Sequence, residues 1–259
     1  MVADAYQRAQ AWCTTTMALR SQQAQQVGPG GWLVLTPDWP DSFSHNALVL
    51  TADPGPEAAL GWADRLGTAG VTHRQLMAYC PLSAATTWAL QDAGFELQPE
   101  LLMARPSSAG YLAAPDVPVR RTEPDAAQVA RLQGVLWRQE WLPDATDAVV
   151  GQLVGRRSTL SDAGPTSTLV VTDGPDAVAC LDVCVRDGVA ELDALATLGP
   201  YRGRGYGLAL MVAGMALAAE SDADLVVLTA LSGDWPRHWY ARLGFAELGP
   251  ATEATLTSP

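Results

Sequence analysis

Basic side chains are scarce in this chain of 259 residues. Lys and Arg together number 16 against 28 Asp and Glu, which gives a formal net charge of −12 and a pI of about 4.5. Nucleic-acid binding needs a basic surface, so this balance argues against nucleic acid as a partner. The acidic field is compatible with a small cationic substrate, although it serves solubility equally well.

Long apolar stretches and targeting signals are also missing. No apolar run is long enough to span a bilayer, and residues 1–26 lack the basic-then-apolar pattern of a signal peptide. The sequence therefore predicts a cytoplasmic protein with no membrane partner. None of the four cysteines has metal-ligand spacing, which predicts reduced, mostly buried thiols and no metal site; they are Cys13, Cys80, Cys180 and Cys184.

Apolar residues make up 48% of the chain, and its length allows one large domain or two small ones. Around residues 105–118, "RPSSAGYLAAPDVP", the periodic pattern gives way to Pro, Ser, Gly and Ala, which is typical of a linker. We therefore predict one α/β domain over residues 1–115 and a second over residues 116–259.

The second half alternates helical and strand patterns. Its predicted order is a helix, three strands joined by hairpins, a helix, a strand, a helix and a strand. The strands on either side of the middle helix are joined by a helical crossover and should run parallel within a mixed sheet. The patterns occupy residues 125–141, 167–173, 177–187, 189–198, 208–220, 224–231 and 234–244, and the last strand follows. Asp-Gly at 187–188 predicts a hairpin turn, and Asp234 and Gly244 are predicted to cap and end the last helix.

The stretch "GPYRGRGYGLALM", residues 199–211, has two arginines and three glycines between Arg202 and Gly207, directly before a predicted buried helix. The first amides of a helix have no partners within it, and its dipole favours an anion there. Glycines let the backbone approach such an anion closely. The pattern therefore predicts a phosphate or pyrophosphate site, the alternative being a tight turn with surface arginines.

Arg202, Gly205 and Gly207 fit the spacing R-x-x-G-x-G, whereas the glycines do not fit G-x-G-x-x-G. With the crossover order and "WYARLGF" at residues 239–245, the sequence resembles the GNAT acetyltransferase superfamily over residues 118–248. The resemblance implies a mixed α/β sheet with flanking helices and acetyl-CoA as co-substrate. It implies that the cofactor lies along Leu195, Ala196, Thr197, Arg202, Gly203, Arg204, Gly205, Tyr206 and Gly207.

The resemblance also implies that Tyr240 protonates the departing CoA thiolate, although this ring could equally pack under the cofactor. A base is needed to take the proton of the attacking amine. Glu191 and Asp193 are two apart in a strand and share one face, so either is a candidate, with Asp182 in the neighbouring strand. These carboxylates could instead bind structural partners.

"WRQEWLPDATD", residues 137–147, falls where the first helices of the resembled family form a wall of the acceptor pocket. Trp137, Glu140 and Trp141 could hold a cation there by ring faces and charge. Tryptophan is equally common in protein cores, so a structural role stays open.

The first half has its own strand–helix order, and "ALQDAGFEL" echoes "YARLGFAEL" in outline. We interpret it as a degenerate GNAT-like copy in a tandem arrangement, with an unrelated α/β cap as the alternative. It lacks the R-x-x-G-x-G loop and the tyrosine, so one active site per chain is expected.

The sequence thus predicts an N-acetyltransferase that moves acetyl directly from acetyl-CoA to the primary amine of a small molecule. Two alternatives stay open, namely the use of another acyl-CoA and a non-catalytic CoA-sensing module. The sequence also allows a homodimer.

Overall fold

The computed structural model describes residues 2–110, 113 and 115–257. These residues form two compact units. The first contains the chain up to Ala104 together with the segment from Thr229 onward, and the second spans Arg105–Leu228. The predicted linker at residues 105–118 includes residues 111, 112 and 114, which lie outside the described residues.

Helices and strands alternate along the chain. The helices are α1 (Val2–Leu19), α2 (Pro56–Thr68), α3 (Ala84–Asp92), α4 (Ala127–Leu136), α5 (Asp147–Gly155), α6 (Tyr206–Glu220) and α7 (Trp235–Arg242). The strands are β1 (Gln23–Gly28), β2 (Gly31–Leu35), β3 (Ala47–Leu50), β4 (His73–Ala78), β5 (Glu96–Pro106), β6 (Arg120–Thr122), β7 (Thr166–Asp173), β8 (Asp176–Arg186), β9 (Val189–Thr197), β10 (Leu225–Leu231) and β11 (Ala246–Thr257).

In the first unit the strands follow the order β1-β2-β3-β4-β11-β5. β3 and β4 run parallel because the crossover helix α2 joins them, whereas β11 runs antiparallel to both of its neighbours. Leu48 and Leu76 of these strands pack in one buried cluster with Ala63 of α2 and Leu90 of α3. The last strand of the chain therefore completes the sheet of the first half.

In the second unit the order is β10-β9-β8-β7-β6. β9 and β10 run parallel on either side of α6, which confirms the predicted crossover. The turn between β8 and β9 contains Asp187 at φ 49° and Gly188 at φ 76°. Two consecutive positive φ angles are typical of the tight hairpin turn that "DG" predicts.

α6 lies close against one face of the second sheet because Gly214 has no side chain. A Cβ at this position would come within 2.7 Å of Leu181 and 3.2 Å of Leu192. The opposite face packs on α4, where Cys180 joins Val129, Leu132 and Leu136 in a buried cluster. This two-sided packing fixes the start of α6, where the glycine loop is located, relative to β9.

The helix–glycine–phenylalanine echo between the two halves has the same backbone geometry in both places. The Phe95 amide donates to Leu90 at 3.0 Å, and the Phe245 amide donates to Tyr240 at 3.1 Å. The preceding glycines have φ angles of 91° and 89°. The strands that follow, β5 and β11, pair antiparallel with each other. The strands that follow the two similar segments are thus neighbours in the sheet of the first unit.

Candidate active site

The glycine-arginine loop follows β9 and a short 3-10 turn, Gly199–Tyr201. Gly203 and Gly205 have φ angles of 75° and 80°, the left-handed region that favours glycine. A Cβ at Gly203 would meet nothing within 4 Å, and one at Gly205 would lie 3.4 Å from Pro115. The loop therefore exposes backbone without side chains at these two glycines, and the space where a Gly203 side chain would lie is open.

The backbone amides of this loop are available to a ligand. Within the described part of the chain, the amides of Gly203, Arg204 and Gly205 donate to no acceptor. Gly205 caps α6, and its carbonyl accepts the Ala209 amide at 3.0 Å, so the amides of the first turn lack partners within the helix. With the helix dipole, this arrangement is suited to binding an anion.

Both loop arginines are held by neighbouring groups. Arg204 donates to the Pro200 carbonyl at 3.1 Å, and its guanidinium lies 5.1 Å from the centre of the Tyr201 ring. Arg202 donates to the Thr197 carbonyl at 3.0 Å and forms an ion pair with Glu140. The loop is therefore cationic, and each guanidinium is tethered beside the unpaired amides.

β9 separates from β10 and bulges just before the loop. The parallel pairing joins Val189–Glu191 to Leu225–Val227, and no further pairing between the two strands is present among the described residues. On its other side, β9 shifts register against β8 and Ala194 has a φ of 52°. The backbone from Leu195 to Thr197 therefore has an edge that can pair with an extended ligand.

Asp182 is committed to a structural ion pair. Its carboxylate accepts from Arg157 at 2.7 Å and from the Thr168 hydroxyl at 2.5 Å. The Asp182 and Arg157 side chains are each only 6% exposed, and Arg157 also donates to the Pro124 carbonyl at 2.8 Å. Removing one partner would leave a buried charge uncompensated, so Asp182 belongs to the framework and not to the acidic patch of candidate bases.

The two predicted base candidates differ in environment. Asp193 is exposed and accepts the Ala194 amide at 2.7 Å, so it stabilises the bulge of β9. Glu191 is half-buried and belongs to the last residue pair before β9 and β10 separate. Glu191 is therefore the carboxylate at the point where the strands diverge.

The predicted acceptor residues lie in a single π-helical turn, Trp137–Trp141, where the sequence pattern suggested a continuation of α4. The Leu142 amide donates to the Trp137 carbonyl five residues earlier, at 2.8 Å. The two tryptophan rings meet edge to face at 4.8 Å, and Trp141 is 39% exposed. The face of Trp137 already carries Arg156, whose guanidinium lies 5.7 Å from the ring centre.

Tyr240 lies in α7, which begins after Asp234. The Asp234 side chain accepts the Trp235 amide, as the sequence predicts for a cap. The tyrosine ring is half-buried, 5.3 Å from the Trp239 ring and 6.1 Å from the Phe245 ring. α7 belongs to the segment of the first compact unit that begins at Thr229.

All four cysteines are buried and outside disulfides, as predicted. Burial raises the pKa of the Cys180 thiol to about 12, and the nearby Asp182 acts in the same direction. This thiol is therefore protonated near neutral pH and is a poor nucleophile.

Several contacts of the site were not predicted from sequence. They include the partner of Asp182, the ion pair of Arg202 with Glu140, and the arginine over Trp137. The partners are 25, 62 and 19 residues apart along the chain, so no local pattern could have indicated them.

Among the described residues, no helix has the length and hydropathy needed to cross a membrane.

A family model described as "Acetyltransferase (GNAT) family" matches residues 127–245, the segment that contains the loop, the separating strands and Tyr240. This segment is a GNAT acetyltransferase domain. A search of curated protein sequences gives no match.

Solved structures with the same fold cover nearly the whole chain. A functionally unknown conserved protein from Staphylococcus epidermidis has a TM-score of 0.71 at 14% identity, over 92% of this chain and 95% of that one. A GCN5-related N-acetyltransferase from Kribbella flavida has a TM-score of 0.62 at 18% identity, over 98% and 96%. A tandem GNAT protein from the clavulanic acid biosynthesis pathway has a TM-score of 0.54 at 15% identity, over 88% and 79%.

The GNAT fold predicted from the motifs is thereby confirmed, and it extends over the chain as a mixed α/β architecture. Members of this family transfer acyl groups from acyl-CoA, and the match supports acyl-CoA-dependent acyl transfer by this domain in general.

Proposed function

We propose that the GNAT domain transfers an acetyl group from acetyl-CoA to the primary amine of a small molecule. The observation that carries the proposal is the open glycine-arginine loop at the start of α6, next to the point where β9 leaves β10. The amides of Gly203–Gly207 would hold the pyrophosphate, with Arg202 and Arg204 adding charge. The pantetheine arm would pair with Leu195–Thr197.

Transfer would be direct, since the most buried thiol near the site is held protonated. The amine nitrogen attacks the thioester carbonyl, and a backbone amide near Leu195 stabilises the charge that develops on the oxygen. The tetrahedral intermediate then collapses, the C–S bond breaks and the thiolate leaves. Tyr240 protonates that thiolate as the general acid, and a carboxylate accepts the proton lost by the amine.

We assign the base role to Glu191, because it is the carboxylate in the last residue pair before β9 and β10 separate. Its half-buried position at the strand divergence suits a group that acts directly or through one water. A Glu191→Gln variant should lose turnover and the acid limb of the pH–rate profile. An unchanged rate with an unchanged profile would rule out this assignment.

The acceptor that best suits the site is a small cationic amine. The formal net charge of −12 favours approach of a cation, and the π-helical turn carries both Glu140 and the exposed Trp141. A carboxylate and a ring face are the groups that recognise an alkylammonium.

The direct experiment follows thiol release from acetyl-CoA with a panel of primary amines, and confirms the acetylated amine by mass spectrometry. The chain contains no lysine, so its own side chains contribute no amine background to the assay. Turnover dependent on added amine supports the proposal. Acetyl-CoA binding without turnover on any amine would instead favour a CoA-sensing module.

We further propose that the first half is a degenerate GNAT copy, so that each chain binds one acyl-CoA. Its order β3–α2–β4–α3–β5 repeats the order β9–α6–β10–α7–β11. In both series the first helix follows a glycine with positive φ, Gly55 at 83° and Gly205 at 80°. The matching backbone at Phe95 and Phe245 supports the same relation.

The position equivalent to the pyrophosphate site is filled by the chain itself. The Asp53 carboxylate accepts the amides of Gly55 at 3.0 Å and Ser83 at 2.8 Å and the hydroxyl of Thr86 at 2.7 Å. It thereby satisfies donors at the starts of both α2 and α3. Because the Asp53 carboxylate occupies these donors, they are not offered to a pyrophosphate. Its negative charge would also repel the pyrophosphate.

In this half, β3 and β4 correspond to β9 and β10, and they stay paired where β9 and β10 separate. β3 and β4 pair through Leu50 and Ala78, and the Tyr79 amide donates to the Leu50 carbonyl at 2.8 Å. The Gln10 side chain from α1 then donates to the carbonyls of Thr51 and Tyr79, at 2.9 and 2.6 Å. This closure contrasts with the separation of β9 from β10 and supports a single cofactor site.

Asp53→Asn is expected to lower the thermal midpoint at neutral pH without changing CoA stoichiometry. Burial alone would raise the pKa of Asp53, but hydrogen bonds involving Ser83, Gly55 and Thr86 lower it to about 2. The unfolded carboxyl titrates near 4, so its stabilising effect is complete above about pH 4 and is lost as the pH falls toward 2. The difference between variant and parent should therefore shrink over that interval.

Thermal unfolding across this pH range, together with calorimetric titration of CoA, measures both effects. Asp92→Asn, at the exposed end of α3, is the matched control and should show no such loss. Binding of two CoA molecules per chain in the parent protein would contradict the closed first half.

A further inference from the structure

Glu140 and Arg202 connect the two parts of the second unit that the proposed reaction uses. Arg202 belongs to the glycine-arginine loop, and Glu140 belongs to the π-helical turn that also carries Trp141. Their side chains form an ion pair, while the Arg202 Nε donates to the Thr197 carbonyl at 3.0 Å. Without ligand, the acceptor-side carboxylate is thus bound to the cofactor-side arginine.

The two groups differ in their access to solvent. The Arg202 side chain is 59% exposed, whereas that of Glu140 is 23% exposed. An ion pair with an exposed partner is weak because solvent screens it, so a stronger competing charge can break it. The unpaired amides of Gly203–Gly205 lie next in the chain, so an anion bound to them comes close to the same guanidinium.

A pyrophosphate on these amides would act on both members of the pair. Arginine binds phosphate oxygens strongly, often through two parallel hydrogen bonds. The same phosphate charge repels the Glu140 carboxylate. Both effects favour a state in which Arg202 contacts the phosphate and Glu140 turns away from it.

We propose that Glu140 determines acceptor specificity and becomes available to the acceptor ammonium only when acyl-CoA takes over Arg202. This inference rests on the proposed function and adds to it a coupling between the binding of acyl-CoA and the binding of the acceptor. Acyl-CoA releases Glu140, which precedes Trp141 in the π-helical turn, and the released carboxylate binds a primary ammonium. By reciprocity, a bound ammonium that occupies Glu140 strengthens the binding of acyl-CoA.

A positioning role for Glu140 makes the opposite prediction. If Glu140 served only to hold Arg202 ready for the phosphate, its removal would weaken CoA binding. If Glu140 competes with the phosphate, its removal strengthens CoA binding. The sign of the change in affinity therefore separates the two roles.

The test is calorimetric titration of CoA into the parent protein, Glu140→Gln and the control Asp147→Asn. Glu140→Gln is expected to bind CoA about threefold to tenfold more tightly, from the loss of one screened charge near the phosphates. Asp147 is 90% exposed and pairs with Arg138 at 2.8 Å, so its variant removes a charge from a nearby segment without touching Arg202. Its affinity should match that of the parent.

A second measurement uses tryptophan fluorescence. CoA should change the emission of the parent protein through Trp141, and this part of the change should be absent in Glu140→Gln and in Trp141→Phe. Pantetheine lacks the pyrophosphate and should not produce it in any of the proteins.

Equal or weaker CoA binding by Glu140→Gln overturns the inference and leaves the proposed function standing. A failure of both parent and variant to bind CoA overturns the proposed function, and this inference with it. Tighter binding confined to Glu140→Gln, with the fluorescence change lost, supports the coupling.

Discussion

Gly205→Glu is expected to abolish measurable acetyl-CoA binding, with an increase in Kd of at least about 100-fold, or 2.7 kcal/mol. The substitution acts in two ways. A side chain at a φ of 80° strains the backbone that caps α6. The added carboxylate also lies at the helix start, where it competes with the pyrophosphate for the amides and repels its charge. Calorimetric titration with acetyl-CoA measures the change.

Gly174→Glu is the matched control. Gly174 has a φ of 57° in the hairpin between β7 and β8, and a Cβ there would meet nothing within 4 Å. This variant also puts a side chain at a positive φ and adds the same charge in the same unit. It should keep parental affinity. Equal affinity of Gly205→Glu and the parent protein would mean that the loop is only a turn, and the acyl-CoA assignment at this loop would be withdrawn.

Tyr240→Phe is expected to lower kcat about 100-fold or more, because general-acid catalysis contributes on the order of 10²–10⁴. The acetyl-CoA Kd should change little, since phenylalanine retains the ring that packs near Trp239 and Phe245. Steady-state turnover, measured with the best amine found in the screen, and calorimetry on the same preparation separate the two quantities.

Trp235→Phe on the same helix is the control, since that side chain is 66% exposed and starts α7. Its turnover should match the parent. Parental turnover in Tyr240→Phe would exclude the acid role and leave the tyrosine as a packing residue. Loss of both turnover and acetyl-CoA affinity would indicate a role in holding the cofactor.

Most elements that the sequence predicted are present, because their signals are local. Alternating apolar residues predicted β8, the Asp-Gly pair predicted its hairpin to β9, and Asp234 with Gly244 marked the ends of α7. β1 was not predicted, since its polar sequence "QAQQVG" has no apolar alternation. β11 was expected as the strand after α7, but its place between β4 and β5 was not.

The same distinction holds for the candidate site, in which some features can be recognised from sequence and others cannot. The glycine loop, the strand before it and the cap of α7 can be recognised from short stretches, because a helix start or a left-handed turn depends on neighbouring residues. The roles of the carboxylates could not be separated in this way. Asp182, Glu191 and Asp193 look alike in sequence. Only the structure places Asp182 in a buried ion pair, Asp193 at the bulge and Glu191 in the last residue pair between β9 and β10.

The amino-acid sequence by itself determined the crossover order, the anion-binding loop and the resemblance to GNAT acetyltransferases. Each depends on apolar periodicity or on the conformational freedom of glycine, which act over a few residues. Only the tertiary structure decided that Arg157 neutralises Asp182, that Glu140 pairs with Arg202, and that Asp53 accepts the Ser83 amide at the start of α3. These contacts join residues 25, 62 and 30 positions apart, and such pairs are selected by packing of the whole chain rather than by any local preference.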